Sequence, residues 1–127
     1  MSTPTVKDFM TEMPHTINED LSLKKAMEMM HEYGCRHLPV LHGGKVVGIL
    51  SDRDIKLVST FSNSEELPVS EAMTEDPYSV SPDTPLKVVA EEMNKHRFGS
   101  AVVVGANNKP VGIFTVSNAL EALISRL

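Results

Sequence analysis

Apolar residues recur at helical spacing at Leu23, Ala26, Met27 and Met30, and again at Leu86, Val89, Ala90 and Met93. The i, i+3, i+4, i+7 pattern predicts one amphipathic helix in each half of the chain. Gly34 suits the left-handed end of the first helix, and Thr84 followed by Pro85 predicts a cap and a first-turn residue for the second. Short apolar runs follow each helix: "RHLPVL" and "KVVGIL" around Gly43-Gly44, then "SAVVVG" and "KPVGIF" around Ala106 to Asn108. Each reads as two strands joined by a short turn. A further helix is expected from Ser51 and from Thr115, with apolar faces at Ile55 and Val58, and at Leu120, Leu123 and Ile124. Short strands are expected near Thr16-Ile17 and Ser79-Val80. The order in each half is then strand, helix, two strands, helix.

The two halves are copies of one another. A shift of 63 residues superposes Val6, Met10, Thr11, Glu12, Pro14, Asp20, Leu23, Lys24, Glu28, Met30 and Val40 on identical residues between Val69 and Val103. After one inserted residue in "GANNK", a shift of 64 superposes Lys45, Val47, Gly48 and Ile49 on Lys109, Val111, Gly112 and Ile113. Such a period marks a tandem duplication. The small and polar residues of "TFSNSEELP" read as a connector, so the expected organisation is a first repeat at 1–60, a connector at 61–68 and a second repeat at 69–127.

Composition narrows the function classes. The 127 residues suffice for one domain of average size or two half-size units. A net charge of -5 offers no basic face for DNA or RNA. Cys35 is the single cysteine, so no internal disulfide forms. No apolar run has the length of a membrane span, and "MSTPTVKDFM" lacks a signal peptide's apolar core, so a cytoplasmic location is expected. The five histidines, His15, His31, His37, His42 and His96, show no zinc-type spacing and no cysteine cluster, so no metal site is expected. Met27, Met30 and Met93 fall on core-facing stripes, which favours packing over metal ligation. No G-x-S-x-G elbow, phosphate-binding P-loop or duplicated acid pair points to catalysis, and no enzyme activity is expected.

One duplicated stretch carries candidate chemistry. "GILSDRD", residues 48–54, ends a strand and begins a helix with Ser51 and Asp54 in the spacing of a capping box; "GIFTVSN", residues 112–118, repeats it with Thr115 and Asn118. Capping alone explains one such pattern. Its recurrence after matching strands widens the question to a ligand.

Taken together, "VKDFMTEMPHTI" with "VSEAMTEDPYSV", "CRHLPVL" and the two G-h-x-[ST]-x-x-[DN] ends resemble the CBS domains, a family normally found as a tandem pair. The resemblance covers nearly the whole chain and implies a stand-alone pair of β-α-β-β-α units, an α/β (α+β) fold related by a pseudo-twofold axis. It further implies two clefts between the repeats that often bind adenosine-containing ligands. On the family's pattern, the Ser51/Asp54 motif would be walled by Tyr78, Phe98 and Ser100 with Ile49 beneath the base. The Thr115/Asn118 motif would be walled by His15, Cys35 and His37 with Ile113. Arg36 and His37 lie where family members often set basic residues against phosphates, and Arg53 adds a cation beside the motif. Ordinary core packing remains the alternative for Tyr78, Phe98 and Cys35, and a solvated surface charge for the basic residues.

The residue chemistry agrees with that implication. A helix starting at Ser51 or Thr115 presents unpaired N–H groups and a positive dipole end to a phosphate, and the hydroxyl adds a hydrogen bond. One turn on, a carboxylate accepts both hydroxyls of a ribose. Asp54 is equipped for this, whereas the amide of Asn118 has one acceptor oxygen and a donor NH2, which ranks its site second. The favoured expectation is a regulatory sensor of AMP, ADP, ATP or S-adenosylmethionine that transmits a change to a protein partner. A ligand-free dimerisation module is the alternative. A homodimer built on the amphipathic helices is expected in either case.

Overall fold

The computed structural model describes residues 3–12, 15–60 and 63–127. It divides into two packed units, His15–Pro77 and Met1–Pro14 with Tyr78–Leu127. These units are cut differently from the sequence repeats, because the start of each repeat packs with the body of the other.

In the His15–Pro77 unit, β2 (Ile17–Asn18) leads into α1 (Leu23–Tyr33), followed by β3 (His37–His42), β4 (Lys45–Ser51), α2 (Asp52–Ser59) and β5 (Thr74–Glu75). The sheet order is β2-β3-β4-β5, with β2 parallel to β3 and the remaining pairs antiparallel. The parallel pair requires a crossover, which α1 supplies. Ser22 caps α1 by accepting the N–H of Lys25, and Gly34 ends it at φ 65° in the left-handed region, as its sequence position predicts. Ile17, Leu23, Ala26, Met30, Leu38, Val40, Leu50, Ile55 and Val69 form the core.

The other unit repeats the plan. β6 (Ser79–Val80), α3 (Leu86–His96), β7 (Ser100–Val104), β8 (Pro110–Thr115) and α4 (Val116–Ile124) take the matching places. β1 (Thr11–Glu12) completes the sheet order β1-β8-β7-β6. Its core is Val6, Val80, Val89, Met93, Ala101, Val103 and Phe114. Position by position, Leu38 and Leu50 become Ala101 and Phe114, while Ala26 becomes Val89. Losses and gains of volume nearly offset one another, the kind of exchange cores tolerate best.

The exchange of starts is anchored by paired residues. Val6 of the first repeat is fully buried beside Val89 and Phe114, while Val69 of the second is fully buried in the core built on Leu23 and Leu38. β1 pairs with Gly112 and Ile113, and β5 with Gly48 and Ile49. A Cβ on Gly48 would lie 2.6 Å from Met73 Sδ and 2.9 Å from the Thr74 carbonyl, and one on Gly112 would collide with Met10 Sδ. The duplicated glycine and methionine therefore form a close-packed pair in each unit. β1 and β5 were not legible in the sequence, because both are exposed Thr-Glu pairs without the apolar residue that marks β2 at Ile17 and β6 at Val80.

Three expectations need correction. Thr84 does not cap α3: Pro85 holds the cap position, and the Thr84 hydroxyl lies 3.1 Å from that of Ser81. The position matching Ser22 is a proline, and the N–H of Leu86 donates instead to the Pro4 carbonyl. Met27 is exposed, as is Ala90, so the buried stripes narrow to Leu23, Ala26 and Met30 and to Val89 and Met93. On α4 the buried residues are Asn118 and Ala122, whereas Leu120, Leu123 and Ile124 face outward. Of the stretch read as a connector, Phe61 and Ser62 lie outside the described residues. Further along it, Ser64 is buried against Ser59, and Leu67 packs on the α1 core.

Candidate ligand site

Ser51 is both the last residue of β4 and the N-cap of α2. Its hydroxyl accepts the N–H of Asp54 at 3.1 Å, and Asp54 Oδ2 accepts the N–H of Ser51 at 2.9 Å. The capping box is thus complete. Asp54 is half-buried, and its Oδ1 makes no hydrogen bond among the described residues. A carboxylate fixed at one oxygen and open at the other, at a helix N-terminus, is placed to accept hydroxyl donors.

The strand register sets a second segment beside this motif. His37 pairs with Ser51, and the Arg36 carbonyl accepts the N–H of Asp52 at 3.0 Å. Burial pushes the His37 imidazole below its ordinary value of 6.5, with Asp52 and Asp54 opposing and Arg36 assisting. Arg36 and Arg53 are exposed and make no ion pair among the described residues. The site can recruit them against an anion, and they offset the two carboxylates of the first turn of α2. Ile49, two residues before Ser51, is buried and pairs with Pro39 and Thr74. Cys35 is partly buried, and burial raises its thiol above 9.0, which disfavours a thiolate nucleophile. His15 stacks on Tyr33 with ring centres 3.7 Å apart and planes 8° from parallel.

In the other unit, Thr115 caps α4 and its backbone N–H donates to Asn118 Oδ1 at 2.9 Å. The Thr115 hydroxyl donates to that same oxygen at 3.1 Å, and Asn118 Nδ2 donates to Thr11 at 3.5 Å. Asn118 is buried, and its single acceptor oxygen already takes two donors. It is therefore less available to a ligand than Asp54. Ser100 pairs with Thr115, and Ile113 with Val102 and Thr11. Tyr78 stacks on Phe98 at 5.3 Å, and Phe98 on His96 at 5.1 Å. Burial raises the Tyr78 phenol above 10.0, with Glu92 adding to it. Tyr78 packs partly on the core, but Phe98 is an exposed ring.

Each unit thus brings one strand-to-helix motif together with its neighbouring strand residues. Cys35, Arg36, His37, Ile49, Ser51, Arg53 and Asp54 fall in one, with His15 on its ring partner Tyr33. Tyr78, Phe98, Ser100, Ile113, Thr115 and Asn118 fall in the other. Tyr33 was missed in the sequence. The period itself was the available signal, since it sets His15 on Tyr78 and Tyr33 on His96. No group of three or more His, Cys, Asp or Glu suited to a metal occurs among the described residues, and none of their helices is long and apolar enough to cross a membrane.

Comparison with known proteins agrees with the fold. The CBS domain model matches residues 6–59 and 69–125. The chain is 30% identical to the CBS domain-containing protein YhcV of Bacillus subtilis, over 90% of this chain and 81% of that protein. It is 34% identical to a homoserine O-acetyltransferase of Methanococcoides burtonii over 86% of this chain, yet spans 22% of that protein's length. Among solved structures, the CBS domain pair of protein MJ0100, in complex with 5-methylthioadenosine and S-adenosyl-L-methionine, superposes with a TM-score of 0.90. It is 25% identical, over 99% of this chain and 100% of that one. CBSX2 of Arabidopsis thaliana in complex with AMP gives a TM-score of 0.80 at 30% identity, over 96% and 97% of the two chains.

Proposed function

Because the chain belongs to the CBS-domain family, we propose that it is a regulatory module that binds an adenosine-containing ligand and passes the change on to a protein partner. The observation that carries this reading is the open Asp54 Oδ1 beside the Ser51 cap. It is what a ribose diol requires, and the cations of Arg36 and Arg53 stand by for phosphate. The ligands of the MJ0100 pair and of CBSX2 share adenosine, and their likeness to this chain supports that class. AMP, ADP, ATP and S-adenosylmethionine are the candidates. Ser51, Asp54, Arg36, His37 and Arg53 are proposed to hold ribose and phosphate, with Thr115 and Asn118 as the weaker motif. Ile49, Ile113, Ser100, Cys35 and the rings of His15, Tyr78 and Phe98 are proposed to line base positions.

Regulation is proposed rather than catalysis, and the acetyl transfer named for the longer relative is not carried over to this chain. We further propose a homodimer in the cytoplasm. Its support is the apolar outer face of α4, where Leu120, Leu123 and Ile124 are each more than half exposed. The test is calorimetry of the purified protein with the four ligands, after reading any excess absorbance at about 260 nm left by a co-purified nucleotide. With no Trp and two Tyr, the protein contributes little background. Heat from at least one ligand, saturating at one or two per chain, is expected. No heat from any of them, with no co-purified nucleotide, would overturn the reading in favour of a ligand-free dimerisation module.

A further inference from the structure

We infer that Tyr33 and His15 form a preorganised stacking platform for the adenine ring, with Tyr33 as a specificity-determining residue of the first repeat. This rests on the adenosyl reading above and deepens it. The rings lie 3.7 Å apart and within 8° of parallel, so each covers one face of the other and turns the opposite face outward. Tyr33 is nonetheless 45% exposed and His15 is exposed as well. A flat π surface of this kind, held at the last residue of α1 directly before Gly34, is the form of site on which bases stack. The second repeat carries aromatic rings at the same two positions with the types exchanged: Tyr78 stands for His15 and His96 for Tyr33. There Phe98, in the place of Cys35, stacks on both. Recurrence of a ring pair at matched positions, once directly stacked and once bridged, argues for a shared task over incidental surface contact. The difference argues that the two platforms do not have equal affinity.

Tyr33 and Tyr78 are the only tyrosines and there is no tryptophan, so each platform carries its own fluorophore. In Tyr78→Phe, Tyr33 is the sole emitter. The titrant is whichever of AMP, ADP, ATP and S-adenosylmethionine gives heat with the unaltered protein, with excitation on the red edge of tyrosine absorption, where adenine is transparent. Saturable quenching with the calorimetric midpoint is expected. In parallel, Tyr33→Ala should weaken one site about tenfold and Tyr33→Phe by less than about twofold, since the phenyl ring keeps the stack. Heat of binding with unchanged Tyr33 emission, or full affinity in Tyr33→Ala, would overturn the platform and leave the adenosyl reading standing. Absence of heat from all four ligands would overturn both.

Discussion

Replacing Asp54 separates capping from ligand holding, because the protein contains its own control. Asp54→Asn keeps an oxygen for the Ser51 N–H, and Asn118 already performs that cap for Thr115 at 2.9 Å. The fold should therefore survive with a loss of about 0.3–1 kcal/mol from the missing charge at the positive end of α2. Asp54→Ala removes the cap as well and should lose roughly 0.5–2 kcal/mol. Ligand binding should respond differently. Two charge-assisted hydrogen bonds from the carboxylate to a ribose are together worth about 2–4 kcal/mol once buried, which is roughly 30-fold to 1,000-fold in affinity. Asparagine, with its oxygen tied to Ser51 and a donor NH2 toward the ligand, should recover little of that.

Calorimetry with the four adenosyl ligands, paired with thermal melts, measures both consequences. The expected pattern is a large affinity loss in both variants and a melting shift that is smaller in Asp54→Asn. If Asp54→Asn binds every ligand as tightly as the original protein, Asp54 is a helix cap and nothing more. If melting falls equally in both variants, the capping role assigned to the amide of Asn118 is also mistaken.

Asn118→Asp should tighten adenosyl binding at the second motif several-fold by restoring a free acceptor while keeping the Thr115 cap; calorimetric sites unchanged in number and strength would remove Thr115 and Asn118 from the site. Gly48→Ala should destabilise the fold by about 1–3 kcal/mol, because the new Cβ meets Met73 and the Thr74 carbonyl, and a melting temperature within one degree of the original would contradict that close packing. His37 is depressed below 6.5 in the folded state, so the unfolded chain binds more protons as pH falls through that value. Its contribution to stability is complete above 6.5 and declines below it; His37→Gln should flatten this part of the melting-versus-pH curve, and an unaltered curve would refute the assignment. Light scattering should give about twice the 13.9 kDa chain mass, and Leu123→Glu on α4 should lower it toward one chain; a single-chain mass for the original protein would refute the dimer.

The sequence was most informative where periodicity and duplication acted together. The four long helices and the four strands that form hairpins were legible because each pattern occurred twice, and a wrong reading would have had to fail in the same way in both. Burial on α4 was not legible. Leu120, Leu123 and Ile124 share a helical face, but the opposite side, with Asn118 and Ala122, is the one packed inward. Hydrophobicity identifies an apolar face without stating what covers it. The exchanged starts were equally hidden, since Val6 and Val69 match each other perfectly whether each packs with its own repeat or with the other.

Duplication explains both the symmetry of the candidate site and its departures. The backbone hydrogen bonds of the strand-to-helix turn are satisfied by Ser or Thr at the cap and by Asp or Asn three residues on, so folding accepts either chemistry. A ribose diol would distinguish them: Asp54 keeps an open acceptor, whereas Asn118 spends its oxygen on Thr115 and turns its NH2 to Thr11. The ring positions diverge in the same manner, His15 with Tyr33 against Tyr78, Phe98 and His96. Because the cap forms with either residue, a change from acid to amide at this position leaves the fold intact while altering what the motif offers to a ligand. On the proposed reading, such an unequal pair would give graded occupancy, in which the Asp54 motif fills at low ligand concentration and the Asn118 motif responds only as the concentration rises.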